Sequence, residues 1–323
     1  MTSYGAATTT DEILRGIDLS GRRFVITGAA SGLGEESTRA LASRGAQVTM
    51  LARDAEKNAA AAERIRSTVP DADLELGVVD LASFASIREF AAGYLADHDA
   101  IDVLINNAGV MACPYATTAD GFEMQFGTNH LGHFLLTALL FDAIMAGDQP
   151  RVVNLSSAGH SISDVRLDDV NFDTDDYDAW LAYGRSKTAN ALFSRGLAQR
   201  YGDRGVRSYS VHPGVIMTNL GRHLTAELME QMVERARARA QDLGNNTSGD
   251  LSFKSAEAGA ATQIWAAVAD IPDQNGAYLA DCQIGVEGAN PSETGFVGYL
   301  LDDTTTDGLW TLSEELVGQH FPA

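Results

Sequence analysis

Tyr183 and Lys187, in the segment Ala182-Tyr183-Gly184-Arg185-Ser186-Lys187, stand four residues apart and so share one face of a helix. An ammonium beside a phenol favours the phenolate and draws the phenol below its usual pKa of roughly 10. A phenol tuned in this way gives or takes a proton near neutral pH, as the interconversion of an alcohol and a carbonyl requires. With nine tyrosines and three lysines in 323 residues, chance seldom places the two types at this spacing. The plain alternative is a surface tyrosine and a solvated lysine on an ordinary helix.

Other residues point to a dinucleotide. Thr27-Gly28-Ala29-Ala30-Ser31-Gly32-Leu33-Gly34 lies between a short apolar run and a helical stretch. Glycines there let the backbone turn tightly and approach a pyrophosphate, and the helix N-terminus offers N–H donors. The spacing is G-x-x-x-G-x-G. An acidic residue roughly 20 positions past the glycines would read the ribose 2′-hydroxyl of NAD. Ala52 and Arg53 stand there instead, and a guanidinium suits a 2′-phosphate, so NADP(H) is favoured with NAD possible. Pairing of Arg53 with Asp54 or solvent is the alternative. Asp80 follows the third apolar run and is placed either to meet an adenine amino group or to cap the next helix, a role for which Ser83 competes. Ser156 and Ser157 end the fifth run, where a hydroxyl can polarise a substrate carbonyl. Asn129 lies inside a helical stretch that disfavours asparagine. His130, His133, His160 and His212 form no metal motif with the cysteines, and no metal is expected.

The elements that must position these residues alternate regularly. Strands are expected at 22–27, 46–52, 74–79, 101–105, 151–155 and 206–211, with a further one over 276–283. Helices are expected at 32–44, 54–67, 83–98, 120–145, 180–201, 255–269 and 307–319. Near-continuous apolar strands separated by helices predict an α/β fold, a doubly wound parallel sheet of about seven strands with helices on both faces. Thr9 and Glu12 have capping-box spacing ahead of a short helix. Residues 1–20 read as an N-terminal extension, 21–290 as the single domain, and 291–323 as a C-terminal extension packed on it. Leu224, Leu228 and Met232 share a helical face within a stretch of about 222–250, which predicts a small lid bounded by the loop Gly244-Asn245-Asn246-Thr247-Ser248-Gly249.

The formal net charge is −21, which argues against nucleic acid and anionic membranes as partners. The two cysteines, Cys113 and Cys282, are far apart and suit a reducing compartment. Without an apolar run of membrane-spanning length or a signal-like N-terminus, a cytoplasmic protein is expected.

Taken in order, Thr27-Gly28-x-x-x-Gly32-x-Gly34, Asp80, Asn106-Asn107-Ala108-Gly109, Asn129, Ser157, Tyr183-x-x-x-Lys187 and Pro213-Gly214 resemble the short-chain dehydrogenase/reductase family. Phe126-Gly127-Thr128-Asn129-His130-Leu131-Gly132-His133-Phe134 and Val211-His212-Pro213-Gly214 are similar to its retinol-dehydrogenase and protochlorophyllide-reductase branch. The resemblance implies Tyr183 as general acid/base, Lys187 as its tuner and ribose ligand, Ser157 (rather than Ser156) as the substrate-oxygen ligand, and Asn129 as holder of a relay water. It implies cofactor contacts at Gly28, Ser31, Gly32, Leu33, Gly34, Arg53, Asp80, Leu81, Asn107, Ala108, Gly109, Tyr183, Lys187, Pro213, Gly214 and Thr218. It further implies a homodimer or homotetramer packed through helices 120–145 and 180–201. The expected activity is hydride transfer between NADP(H) and a secondary alcohol, ketone or aldehyde of a fairly apolar small molecule. A double-bond reductase and a non-catalytic dinucleotide sensor are the alternatives.

Overall fold

The computed structural model describes residues 4–216, 218–242, 253–271 and 273–322. Among the described residues the strands are β1 (Arg23–Thr27), β2 (Gln47–Ala52), β3 (Asp73–Val78), β4 (Val103–Asn106), β5 (Arg151–Leu155), β6 (Arg207–His212), β7 (Val215–Ile216), β8 (Phe253–Lys254), β9 (Tyr278–Ala280) and β10 (Gln283–Ile284), with β11 (Val286–Glu287) and β12 (Gly295–Phe296) paired to each other. Eight form one sheet in the order β10-β9-β6-β5-β4-β1-β2-β3, and β7 pairs with β8 in a small one. All pairings in the large sheet are parallel except β9 with β10. The sheet therefore holds eight strands rather than about seven. The extra strand arises where one had been expected over 276–283. Asp281 and Cys282 take left-handed φ values of 52° and 54°, so the chain turns back and β10 runs antiparallel.

The helices are α1 (Thr10–Ile13), α2 (Gly32–Ala42), α3 (Ala55–Thr68), α4 (Phe84–Asp97), α5 (Met124–Phe126), α6 (Gly132–Leu139), α7 (Phe141–Met145), α8 (Ala179–Tyr201), α9 (Ala226–Asp242), α10 (Ala256–Val268) and α11 (Asp303–Val317). Successive strand residues point to opposite faces, and both faces are buried. Val25, Leu104 and Val152 join the core beneath α4, α6 and α8. Phe24, Ile26, Val103 and Val153 join the core beneath α1, α2, α3 and α10. Side chains that accept N–H bonds start the helices as the sequence suggests. Asp54 caps α3, Ser83 caps α4, and Thr9 with Glu12 forms the capping box of α1.

The helix expected over 120–145 is broken. The Glu123 carboxylate accepts from Gln125 N–H and Phe126 N–H, so helix starts only at Met124. A π segment follows over Gly127–Leu131, and Leu140 separates α6 from α7. The closing helix starts at Asp303, ahead of the expected 307, because the Asp302 carboxylate caps it. The loop 244–249 expected to bound the lid lies outside the described residues.

Part of the surface of α6 and α8 is covered by this chain's own C-terminus. Trp310 of α11 packs at ring distances of 5.3 Å from Phe134, 5.9 Å from Phe193 and 4.6 Å from Phe321. Arg200 lies 4.4 Å over the Trp310 ring, and His130 shares a 2.8 Å hydrogen bond with Ser313. Trp310→Ala removes the centre of this cluster and is expected to cost about 3–5 kcal/mol of stability. Urea unfolding of the wild-type and variant proteins measures it.

Candidate active site

The glycine loop leaves β1, and the Asn106–Gly109 loop leaves β4, its neighbour in the sheet. The order reverses between these strands, where open α/β sheets bind ligands. Gly28 and Gly32 have φ of 68° and 58°. A Cβ on Gly34 would lie 2.3 Å from the Gly28 carbonyl oxygen, so only glycine lets α2 start this close to the turn. Ser31 precedes α2 without a side-chain cap, which leaves the first-turn N–H groups open to an anion. Asn107 donates from Nδ2 to Thr27 O at 2.8 Å, and the N–H groups of Asn107 and Ala108 donate to Thr27 Oγ1. This cradle fits a dinucleotide pyrophosphate.

A buried network braces it. His133 Nδ1 lies 2.9 Å from the Asn129 carbonyl, which only accepts, so the ring proton sits on Nδ1. Thr27 Oγ1 then donates to His133 Nε2 across 2.9 Å. Burial holds His133 neutral, with its pKa down at about 4. Asn129 accepts at Oδ1 from Val110 N–H and donates from Nδ2 to Val110 O and Ser186 Oγ. The asparagine singled out for its poor fit to a helix thus sits in the π segment and clamps the loop beyond β4.

α8 places the phenol and the ammonium. Lys187 Nζ donates to Leu155 O at 2.9 Å, Asn190 Nδ2 donates to the same oxygen at 2.9 Å, and Ser156 Oγ donates to Lys187 O at 2.8 Å. Ser156 is thereby spent on structure. Ser157 is left to face Tyr183, and its Oγ accepts from Gly159 N–H at 3.1 Å. A side chain on Gly159 would run into the Tyr183 ring.

Burial opposes the expected depression of the Tyr183 pKa. Burial pushes the phenol up to about 12, against an opposing pull from its hydrogen bond to Ser157. Burial also brings Lys187 down to about 8. Nζ lies 5.6 Å from the Tyr183 ring centroid and is committed to Leu155, so desolvation outweighs the cation's influence on the phenol.

Both side chains line a cavity of about 620 Å³. Leu33, Asn107 and Gly109 reach it from the dinucleotide side, as do Pro213, Gly214 and Thr218 after β6. Met111, Ile162 and Trp180 wall the other side. Leu224, Leu228 and Met232 pack against Ala112, Trp180 and Tyr183, which puts the predicted lid face over the phenol. Gly28, Ser31, Gly32, Gly34 and Ala108 build the cradle just described, with Thr218 Cγ2 3.2 Å from where a Gly32 Cβ would stand. Arg53 is exposed at the end of β2, and Asp54 pairs instead with Lys57 at 3.2 Å. Asp80 accepts from Ala82 N–H, and Ser83 takes the capping role. Leu81 is buried against Gly132. Pro291 and Ser292 also line the cavity, although the sequence places them in an irregular tail with no signal for it. His160 and His212 are buried beside Ser157, where His160 Nδ1 donates to Ser157 O and His212 Nδ1 accepts from Ala158 N–H.

Lys187 ties its titration to folding. It titrates at about 8 when folded, against 10.5 ordinarily, so between these values the unfolded chain holds a proton that the folded chain lacks. Stability from this group therefore rises with pH across that window. The unfolding free energy of the cofactor-free wild type is expected to gain on that of Lys187→Met between pH 8 and 10, as measured by urea unfolding.

Comparison with known proteins agrees with this geometry. Residues 22–229 match the short chain dehydrogenase family. Human retinol dehydrogenase 12 is 39% identical over 308 residues, spanning 94% of this chain and 88% of that protein. The chloroplastic short-chain dehydrogenase TIC 32 A of Brassica napus is 37% identical, spanning 97% and 94%. The crystal structure of a putative uncharacterized protein from Mycobacterium Paratuberculosis superposes with a TM-score of 0.72 at 34% identity, covering 100% of both chains. Among the described residues, no helix is long and apolar enough to cross a membrane. The chain belongs to the short-chain dehydrogenase family and is an NAD(P)-dependent oxidoreductase acting on alcohol or carbonyl groups.

Proposed function

We propose that the protein interconverts a secondary alcohol and a ketone, or a primary alcohol and an aldehyde, on a fairly apolar small molecule with NADP(H). The observation that carries this reading is the convergence of Tyr183 and Ser157 on one cavity that also reaches the glycine cradle. The apolar lid face and Trp180 suit an apolar substrate body.

When bound, the nicotinamide supplies or accepts the hydride. In the reductive direction Ser157 Oγ donates to the carbonyl oxygen and steadies the charge that grows there. Tyr183 gives that oxygen its proton. Lys187 holds a positive charge under the phenol, and a phenolate formed beside it is stabilised. The lid and Trp180 exclude water. Arg53 is exposed and without an ion pair among the described residues, and a guanidinium suits a 2′-phosphate, which supports the NADP(H) reading.

Purified protein is expected to oxidise or reduce members of a panel of secondary alcohols, aldehydes and aromatic ketones, followed by nicotinamide absorbance. Arg53→Ala is expected to weaken NADP(H) by about tenfold or more and NAD(H) far less. Equal losses for the two cofactors in a titration would remove Arg53 from 2′-phosphate recognition.

A further inference from the structure

The chain carries 44 acidic residues, yet among the described residues none lines the active-site cavity. Its two charged lining residues are both cations, Lys187 and Arg235. Lys187 is only 3% exposed and its ammonium is held by Leu155 O, so it belongs to the cavity floor. Arg235 is different. It stands on α9, and its side chain is 40% exposed.

The position of Arg235 is fixed by two observations. Leu228, Met232 and Arg235 are spaced four and three apart, so they share one face of α9. The first two pack with Trp180 and Tyr183, so the apolar wall over the phenol ends in a guanidinium. At 1.5 Å per residue, Arg235 is about 10 Å along the helix from Leu228. Its carboxylate partner is Asp178, the residue that caps α8 ahead of Trp180. Arg235 is therefore on the substrate side of Tyr183.

That ion pair is weak. The separation is 3.4 Å, and Asp178 is 39% exposed and already accepts from Leu181 N–H at its other oxygen. Exposed pairs of this kind are worth about 0–1 kcal/mol. The guanidinium has five N–H donors in a planar fork that matches a carboxylate. With a net charge of −21, the surface field repels anions, so a cation in a cavity that no acidic residue lines among the described residues gives local selectivity that the surface does not.

We infer that the substrate is an apolar carbonyl or alcohol compound bearing a carboxylate at the end remote from the reacting carbon, and that Arg235 binds this carboxylate. The inference rests on the alcohol/carbonyl reading of the same cavity and names its substrate class. Arg235 is then a specificity-determining residue, acting on KM more than on kcat, because its contact is equally present before and during reaction.

The test compares a medium-chain ω-oxo carboxylate with its methyl ester, using NADPH, in the wild type and in Arg235→Gln. The acid is expected to be preferred in kcat/KM by about tenfold, through KM, and Arg235→Gln is expected to abolish that preference. A wild type that turns over acid and ester equally well overturns the inference. So does Arg235→Gln losing the same factor for both compounds, the mark of a lid residue without selectivity. Binding of a saturated medium-chain carboxylate and of its methyl ester, by calorimetry, reads the same selectivity without chemistry. If no carbonyl compound reacts, the functional reading fails. Even then, preferential binding of the carboxylate that disappears in Arg235→Gln supports the inference, and equal binding overturns it.

Discussion

The carbonyl oxygen of Leu155 is the pin on which the site turns. It is the last acceptor of β5, and it takes bonds from both Lys187 and Asn190 of α8. Ser156 donates back to the Lys187 carbonyl one residue later. Three hydrogen bonds thus dock one long helix on one strand tip. A buried ammonium is tolerable only with such a partner. Once α8 is fixed there, Tyr183 falls one turn away, beside the first hydroxyl after Ser156. The register of the helix on the strand decides whether phenol and hydroxyl meet.

A second brace ties the dinucleotide side to the same centre. Thr27 gathers the N–H groups of Asn107 and Ala108, and its hydroxyl passes to His133. His133 reaches Asn129, which clamps Val110 and meets Ser186 of α8. The tips of β1 and β4, the π segment and α8 therefore form one buried polar network, kept neutral at His133 by burial. Partly satisfied networks of this sort are costly, and a well-satisfied one is rigid. Rigid placement matters here because hydride and proton must be delivered to adjacent atoms of one substrate.

Much of this was legible in the sequence because it depends on local rules. Apolar runs alternating with helical stretches specify a parallel sheet, and the glycine loop and the Tyr183–Lys187 spacing lie within single turns. The rest depends on contacts distant in sequence. Nothing near Asp281 announces that two left-handed residues will add an eighth strand. The break in the 120–145 helix needs Glu123 to turn its carboxylate on its own N–H neighbours. Trp310 lies in a stretch that reads only as a closing helix, and only the fold shows that it and Phe321 pack on Phe134 of α6 and Phe193 of α8. Pro291 and Ser292 reach the cavity from a tail without periodicity. For Tyr183, spacing gives proximity to a cation, whereas burial, which the spacing does not report, raises the phenol and sets the larger effect.

The central claim is that the Tyr183 phenol carries the proton while the dinucleotide sits in a separate, preformed cradle. Single-turnover rates and dinucleotide affinity measured on Tyr183→Phe test it most directly. The rate of Tyr183→Phe is expected to be lower by about 100- to 10,000-fold with nucleotide affinity retained. A folded Tyr183→Phe protein that turns over at the wild-type rate would contradict it.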